Sequence, residues 1–486
     1  MKSVCLSICF LFLFKFLLIA QPSDQWFVTF EKINREVQQN SQAYSKLKEA
    51  TEKIGHRLTG SSNGKKAEEY VANVLKSWGC SNVRFQPFSV ESWSRGSLSL
   101  SMGTEGNMRP FKAVTLAHSP VSSQLDLPLV DMGNGLEEDY LADPEKVKEK
   151  IALVYLGVLP NSKPGTGTLH RSEKTALAIK YGAKGIIIIN TPPGGILLTG
   201  TASVTGKLIS IPAICISRED GMTLKEKLLQ HSIIAKIRMN NFSSIIKARN
   251  IIATFKGISL PNEKIVVGGH LDSWDLATGA IDNGIGSFAV LDMARTFQKL
   301  QLRTSRTIEF VLFMGEEQGL LGSRHYVATA MKNQQLDKVR YMLNYDMTND
   351  PKGFSSSSDS SKALFEQIGA QVQKVDPLFP NLFRAGAGLH SDHQPFLLQG
   401  IPTGGGAGGS LPNNAGPCYH ADCDDFRLVD EQGMKNTVRF NSMLIYALAN
   451  ADSIPAKKLS DEEIRLFLIK NKLQEPLTIA GEWRWK

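Results

Sequence analysis

The chain has 486 residues, of which 42% are hydrophobic and 21% charged, and its formal net charge is +8 at pH 7. This length exceeds what one ordinary hydrophobic core holds, so two or three domains are expected. The composition is that of a globular protein and contains no dense run of lysine or arginine, which argues against nucleic-acid binding.

The N-terminus has the features of a secretory signal. Lys2 precedes the apolar run 4–20, and the chain then turns polar at Gln21. We predict a signal peptide over residues 1–20 and a secreted or exported protein, with the host deciding between extracellular, periplasmic and secretory or lysosomal locations. An uncleaved anchor is the alternative, because Leu18 is a poor residue for the position three before the cut. No later segment reaches the roughly 20 apolar residues of a membrane span.

The next part of the chain alternates between predicted helices and strands. Residues 21–53 are polar and helix-compatible, and form either a propeptide or the first helix, while 64–78 is a predicted amphipathic helix. Strand-like runs follow at 151–156, 185–190 and 211–216, and one helical stretch lies between them at 173–181. This alternation predicts a separate smaller domain, α/β or β-rich, between residues 107 and 245.

Histidine and acidic side chains follow three predicted strands at their carboxyl ends. The strands and the residues after them are 264–269 with His270 and Asp272, 307–314 with Glu316 and Glu317, and 340–345 with Asp346. Ligands of open α/β sheets bind outside the carboxyl ends of the strands, so these groups are expected in one site. Residues two apart on an extended chain share a face, which would let Asp272 accept the ring N–H of His270.

Two further candidates lie on loops. Asp282 stands in the Gly-rich turn 279–286, which opens a predicted helix over 287–300. His420 lies between Cys418 and Cys423, and an oxidising compartment would allow these cysteines to form a disulfide around it.

Two imidazoles and three carboxylates suit a pair of Zn²⁺ ions, which take nitrogen and oxygen ligands. A bridging carboxylate holds such ions roughly 3.5–4 Å apart, where they share a hydroxide and polarise a scissile carbonyl. One carboxylate of Glu316 and Glu317 would then bind metal, and the other would carry a proton from water to the leaving amine. Gly315 and Gly319 allow a turn that brings both glutamates to one site, but the residues alone leave their roles open.

The strings 268–275, 279–284 and 315–319, together with Tyr419 and His420, resemble the co-catalytic zinc exopeptidases. That family includes secreted aminopeptidases, glutamate carboxypeptidases, carboxypeptidase Q and the glutaminyl cyclases. The string 270–275 is most similar to the carboxypeptidase Q branch. The resemblance implies an α/β fold, with a mixed central β-sheet flanked by helices, and two Zn²⁺ ions.

The resemblance also implies a role for each candidate. Asp282 would bridge the ions, with His270 and Asp346 on one, Glu317 and His420 on the other, Glu316 as general base, and Asp272 orienting His270. The segment 389–396 resembles a family string near the active site, which makes His393 a candidate substrate contact. Arg384 is a candidate partner for a substrate carboxylate.

The remaining assignments concern domains and loops. The turn 181–185 resembles that of a protease-associated domain, which would be inserted into the peptidase. The expected boundaries are 1–20 signal, 21–53 N-terminal segment, 54–106 peptidase, 107–245 insert, 246–455 peptidase and 456–486 tail. We expect a flexible loop over 355–361, and at 404–409 a rim close to substrate.

The predicted function is a secreted zinc exopeptidase of carboxypeptidase Q type, acting on dipeptides or short peptides through a metal-bridging hydroxide. An aminopeptidase of the same family is the first alternative. A glutaminyl cyclase and a catalytically silent binding homologue are the others. The expected partners are peptide substrates, with neither nucleic acid nor a membrane span in the mature chain, and the chain could also form a homodimer.

Overall fold

A single mixed β-sheet of fourteen strands runs through residues 24–485, the part of the chain that the computed structural model describes. The strands are β1 (Val83–Thr104), β2 (Asn107–Pro110), β3 (Ala113–Thr115), β4 (Ser122–Asp131), β5 (Ile151–Tyr155), β6 (Gly185–Ile189), β7 (Ala213–Ile216), β8 (Ile233–Phe255), β9 (Leu260–His270), β10 (Arg306–Phe313), β11 (Val339–Asn344), β12 (Gly353–Ser356), β13 (Leu382–Ala385) and β14 (Thr403–Ala407). Their order across the sheet is β13-β12-β14-β11-β9-β10-β8-β4-β5-β6-β7-β3, and β1 pairs with β8 and β2.

Helices cover both faces of this sheet, which confirms the predicted fold class. They are α1 (Asp24–Asn40), α2 (Ala43–Lys53), α3 (Ser62–Ser77), α4 (Glu137–Leu141), α5 (Arg171–Lys180), α6 (Arg218–Leu228), α7 (Ile285–Lys299), α8 (Leu321–Lys332), α9 (Lys362–Val375), α10 (Gln394–Leu397), α11 (Glu431–Asn450), α12 (Asp461–Lys470) and α13 (Gln474–Ile479). Among the described residues, no helix combines the length and the apolar character that a membrane crossing requires.

The centre of one half of the sheet is formed by β9, β10 and β11, which are parallel neighbours. All eight residues of β10 are buried, as expected for a parallel strand covered on both faces. Successive residues of β9 serve opposite helix layers, since Ile265 and Val267 belong to the core that contains α7 and α11, whereas Val266 packs with residues of α8 and α10. The carboxyl ends of these three strands therefore lie side by side at one edge.

The other half of the sheet forms the inserted α/β domain. Its strands β4, β5, β6 and β7 are parallel, with α5 packed on one face and α6 on the other. The long strand β8 joins the two halves, because its first part pairs with β4 and its last part with β10. The insert is therefore held to the peptidase half by continuous strands.

The first two helices belong to the main core. Phe30, Ile33 and Val37 of α1 and Leu47 of α2 are fully inaccessible to solvent. Removing these helices would expose that apolar surface, which favours the first-helix interpretation of this segment over a propeptide. The predicted signal peptide lies outside the described residues.

The structure corrects the first of two loop predictions and agrees with the second. The serine-rich segment 355–361 is not a flexible loop, because it continues β12 and ends in a short 3₁₀ helix, Asp359–Ser361. The buried hydroxyl of Ser356 accepts a hydrogen bond from the main-chain N–H of Ser358, which replaces bonds to water. The glycine-rich segment expected as a rim contains β14, and Gly404 and Gly406 of that strand line the cleft described below.

Candidate active site

The ends of the three parallel strands bring the predicted side chains together. His270 is the last residue of β9, Glu316 and Glu317 follow β10, and Asp346 follows β11. Gly315 has a φ of 79°, a left-handed conformation that glycine adopts without strain, so the chain turns before the two glutamates. Both glutamates are buried and line the same cleft.

Asp282 lies between the two histidines. Its Oδ1 is 3.3 Å from Nε2 of His270, and its Oδ2 is 3.0 Å from Nε2 of His420. Nε2 of His270 also lies 3.3 Å from Oδ1 of Asp346, and Nε2 of His420 lies 3.1 Å from Oε2 of Glu317. The side chains thus form two groups that share Asp282.

Glu316 stands apart from the two groups. Its Oε2 is 3.9 Å from Nε2 of His270, the longest of these histidine–carboxylate separations. Burial raises the pKa of Glu316 well above its ordinary range, and the nearby carboxylate of Asp346 adds to this shift against the opposing effect of His270. Burial likewise raises the pKa of Glu317.

Negative charge exceeds positive charge in this buried space. Within the described residues, the ion-pair partners of Asp282, Glu316, Glu317 and Asp346 inside 4 Å are histidines alone. Oε1 of Glu317 and Nδ1 of His420 are buried without a hydrogen-bond partner. Burying excess charge is costly unless cations balance it, so the donor set fits metal ions. Nitrogen and oxygen donors of this kind suit zinc, and atoms of His270, Asp282 and Glu317 lie within 4.8 Å of one another.

Asp272 contacts His270 as predicted, but through a different group. Nδ1 of His270 is 3.1 Å from the main-chain oxygen of Asp272 but 3.7 Å from its Oδ1. That carboxylate oxygen accepts a hydrogen bond from the main-chain N–H of Glu316 at 3.3 Å. The carbonyl therefore orients the ring, while the carboxylate connects the His270 strand to the loop of the glutamates.

Residues that sequence reasoning missed hold the Asp282 turn in place. Asp424 accepts hydrogen bonds from the main-chain N–H groups of Ile281 at 2.7 Å and Asp282 at 3.0 Å. Asn283 donates to the main-chain oxygen of Tyr345 at 2.9 Å, which fixes the turn to β11. Asp424 directly follows Cys423, and this place beside the segment that carries His420 was the only sequence signal for the contact.

Arg57 supports the segment that leads to this turn. Its buried guanidinium donates to the main-chain oxygens of Leu271, Thr278 and Gly279 at 2.6, 2.7 and 2.8 Å. Burial lowers the pKa of Arg57 to about 10, and acidic groups that include Asp424 oppose the shift.

A disulfide between Cys418 and Cys423 closes the segment that carries His420. The ring of Tyr419 stacks on that of His420 at 3.9 Å, and the edge of Trp274 faces His420 at 6.0 Å. Asp275 pairs with Arg95 at 2.9 Å. Trp274 and Asp275, which suggested the carboxypeptidase Q branch, therefore serve packing and ion pairing and do not line the main cleft.

The metal-type residues open into a cleft of about 680 Å³. His393 and Arg384 both line it, His393 beside the carbonyl of Gly388 at 3.0 Å and Arg384 exposed on β13. The inserted domain and the tail contribute residues that sequence reasoning did not assign to the site, and these include His170, Arg171, Glu173 and Glu482.

The contacts of these additional residues are specific. His170 stacks on His390 at 4.6 Å. Arg171 is buried, and its Nε has no hydrogen-bond partner. Glu482 accepts two hydrogen bonds from Arg324, at 2.7 and 3.0 Å, which ties the tail to α8.

A mixed α/β sheet with buried histidines and carboxylates at the carboxyl edge of its parallel strands defines a metal-dependent hydrolase. The profile of peptidase family M28 matches residues 250–445, and the profile of the PA domain matches residues 125–224. Residues 250–445 therefore have the character of peptidase family M28, and the inserted domain has that of a PA domain. The chain is a metallo-exopeptidase, a hydrolase acting on peptide bonds.

Curated relatives and solved structures agree with this assignment. The chain is 26% identical over 458 residues to probable leucine aminopeptidase 2 of Aspergillus fumigatus, covering 88% of this chain and 86% of the relative. It is 27% identical over 422 residues to aminopeptidase YwaD of Bacillus subtilis, covering 85% and 86%. The comparisons thus favour the aminopeptidase alternative over the carboxypeptidase Q-like prediction.

Two solved structures share the fold over most of their length. BSAP, a zinc aminopeptidase from Bacillus subtilis, superimposes with a TM-score of 0.63 at 25% identity, covering 86% of this chain and 98% of that structure. A peptidase M28 precursor from Shewanella amazonensis gives a TM-score of 0.76 at 22% identity, covering 90% and 100%. Zinc is therefore the implied metal.

Proposed function

We propose that this protein is a zinc-dependent aminopeptidase that removes single residues from the free N-terminus of peptides. The observation that carries this proposal is the surplus of carboxylate at the Asp346 end of the cleft. Glu316 and Asp346 both lie within 4 Å of His270, and no lysine or arginine pairs with them among the described residues. A substrate ammonium group would be attracted to this end, whereas a substrate carboxylate would be repelled.

The donor geometry supports two zinc ions. Asp282 directs one oxygen to each histidine, so it would bridge the ions, with His270 and Asp346 on one and Glu317 and His420 on the other. When bound, zinc would polarise the scissile carbonyl and acidify a water molecule.

The protein's own groups would orient the substrate and move the proton. Glu316 is the general base, because its carboxylate lies beside the metal-type groups and its pKa is raised by burial, so it would take a proton from the attacking water and deliver it to the leaving amine nitrogen. Asp272 would position both His270 and the Glu316 loop. His393 and Arg384 would contact the substrate along the cleft.

A dipeptidase is the second candidate, and Arg171 is the observation that favours it. This buried arginine lines the cleft, so its positive charge would suit the carboxylate of a dipeptide. Arg384 is exposed, and Arg324 is already paired with Glu482. Of these three arginines, Arg171 is therefore the best candidate to contact a substrate carboxylate.

The domain boundaries and location belong to the same proposal. We assign 1–20 to a cleaved signal, 54–106 and 246–455 to the peptidase domain, 107–245 to the insert and 456–486 to the tail. The protein would then act after export from the cytoplasm. N-terminal sequencing of protein recovered from the medium of an expressing culture would test the cleavage.

The test of the proposed function uses three substrates with blocked or free ends. Zinc-loaded protein is incubated with Leu-Gly-Leu-NH₂, with acetyl-Leu-Gly-Leu and with Leu-Gly, and the products are identified by mass spectrometry. An aminopeptidase releases leucine from the amidated peptide and leaves the acetylated peptide intact, and a chelator stops the reaction. Cleavage of the acetylated peptide alone, or of Leu-Gly alone, would contradict the proposal and favour a carboxypeptidase or a dipeptidase, respectively.

A further inference from the structure

A second cavity adjoins the catalytic cleft. It encloses about 780 Å³ and lies where the inserted domain, the disulfide-closed segment and the C-terminal tail meet. Its wall is largely apolar, and the residues that make it so include Leu156, Leu169, Pro192, Leu198, Pro417 and Leu473. None of the candidate metal ligands lines it.

The second cavity and the catalytic cleft share part of their walls. Arg171, Leu389, His390 and Tyr419 line both spaces. Tyr419 directly precedes His420 and stacks on its ring at 3.9 Å. The second cavity therefore begins beside a proposed metal ligand, on the His420 side of the site.

The opposite end of the cleft is bounded by the sheet. Asn344 of β11, Ser355 of β12 and Thr403 and Gly404 of β14 line it near Asp346. A substrate whose free amine lies at the Asp346 end can extend past its scissile bond along the His420 side of the cleft. The next residues of that substrate would then face the second cavity.

We propose that the second cavity binds the part of a peptide substrate that follows the scissile bond, and that it prefers apolar side chains there. This inference rests on the proposed aminopeptidase function and adds a substrate class to it, namely peptides of three or more residues with apolar residues after the second. Moving an apolar side chain from water into such a space strengthens binding, so we expect kcat/KM to rise by about tenfold per well-buried residue.

The test compares peptides of different length and polarity. The wild-type enzyme is assayed with Leu-Gly-NH₂, Leu-Gly-Leu-Leu-NH₂ and Leu-Gly-Ser-Ser-NH₂, and leucine release is measured. We expect the Leu-Leu peptide to exceed both others in kcat/KM by about tenfold or more. Equal values for the Leu-Leu and Ser-Ser peptides would overturn the inference while leaving the aminopeptidase function intact. A failure to cleave any of the three would overturn the proposed function itself.

A substitution that fills the cavity gives the second arm. Gly167 lines the cavity, and its backbone does not adopt the left-handed conformation that favours glycine. A Cβ added there meets no atom within 4 Å. Gly167→Trp should reduce the ratio of kcat/KM between the Leu-Leu and short peptides to about one. Lys163→Trp is the matched control, because Lys163 is exposed on the same loop and does not line the cavity.

Gly416→Trp places a side chain in the cavity from a different segment of the chain and provides an independent variant. An added Cβ at Gly416 also meets no atom within 4 Å. A ratio that stays at the wild-type value in both filled variants, with normal zinc content and circular dichroism, would overturn the inference. A ratio that falls equally in Lys163→Trp would do the same.

Discussion

Replacing Arg57 by methionine should loosen the metal site from a distance. The guanidinium makes three hydrogen bonds to main-chain oxygens of the segment between His270 and Asp282, at 2.6 to 2.8 Å. At about 1.5 kcal/mol for each bond from a charged donor, the loss amounts to about 4–5 kcal/mol. If about 1.4 kcal/mol of this loss reduces the free energy of zinc binding at Asp282, zinc binding weakens about tenfold.

The assay measures stability and zinc retention on the same preparations. Urea unfolding followed by tryptophan fluorescence gives the stability, and the rate of zinc transfer to a chromogenic chelator gives the retention. Arg439→Met is the matched control, because this buried arginine also makes three hydrogen bonds, to Asn34, Asp376 and Asn436, which lie on or directly after helices that carry none of the predicted ligands. Both variants should lose stability, but only Arg57→Met should lose zinc faster. Equal zinc retention in the two variants would refute the positioning role of Arg57.

Three further predictions follow from the site and from one buried histidine. Glu316→Gln should keep its zinc content but lose about 10²–10⁴-fold in kcat, because it removes the proton carrier, and wild-type turnover would eliminate that role. His420→Ala should hold less zinc by atomic absorption, and unchanged occupancy would remove His420 from the ligand set. Burial lowers the pKa of His118 from 6.5 to about 4, so the unfolded chain binds a proton more readily and stability is lost as pH falls from about 6.5 to about 4. The loss in the free energy of unfolding is about 3 kcal/mol. In unfolding measurements at several pH values, His118→Asn, which cannot titrate, should not show this loss. The same dependence on pH in both proteins would exclude His118 as its origin.

The sequence predicts the side chains that the structure gathers, because their positions depend on local rules. The apolar run at residues 310–313 of β10 indicates a strand covered on both faces, and such strands are parallel neighbours whose carboxyl ends meet. His270 and Asp346 could therefore be placed at one edge without knowledge of the tertiary structure. The strand bounds differ from the predicted ones by only a few residues.

Contacts between distant segments could not be predicted in this way. Arg57 donates to carbonyls more than 200 residues away, and main-chain oxygens leave no mark in a sequence. Arg171 reaches the cleft from the inserted domain, whose placement depends on the pairing of β8. The string at Trp274 and Asp275 was misleading for a related reason, since its residues meet His420 and Arg95 and not the substrate space.

The length of β8 has a mechanical consequence for turnover. This strand runs unbroken from Ile233 to Phe255 and is paired with β1 along nearly its whole length. Bending between the insert and the peptidase half would have to distort that ladder, so the long strand pair stiffens the connection between them. Such a connection favours selection of substrates by the dimensions of the cleft over selection by domain closure.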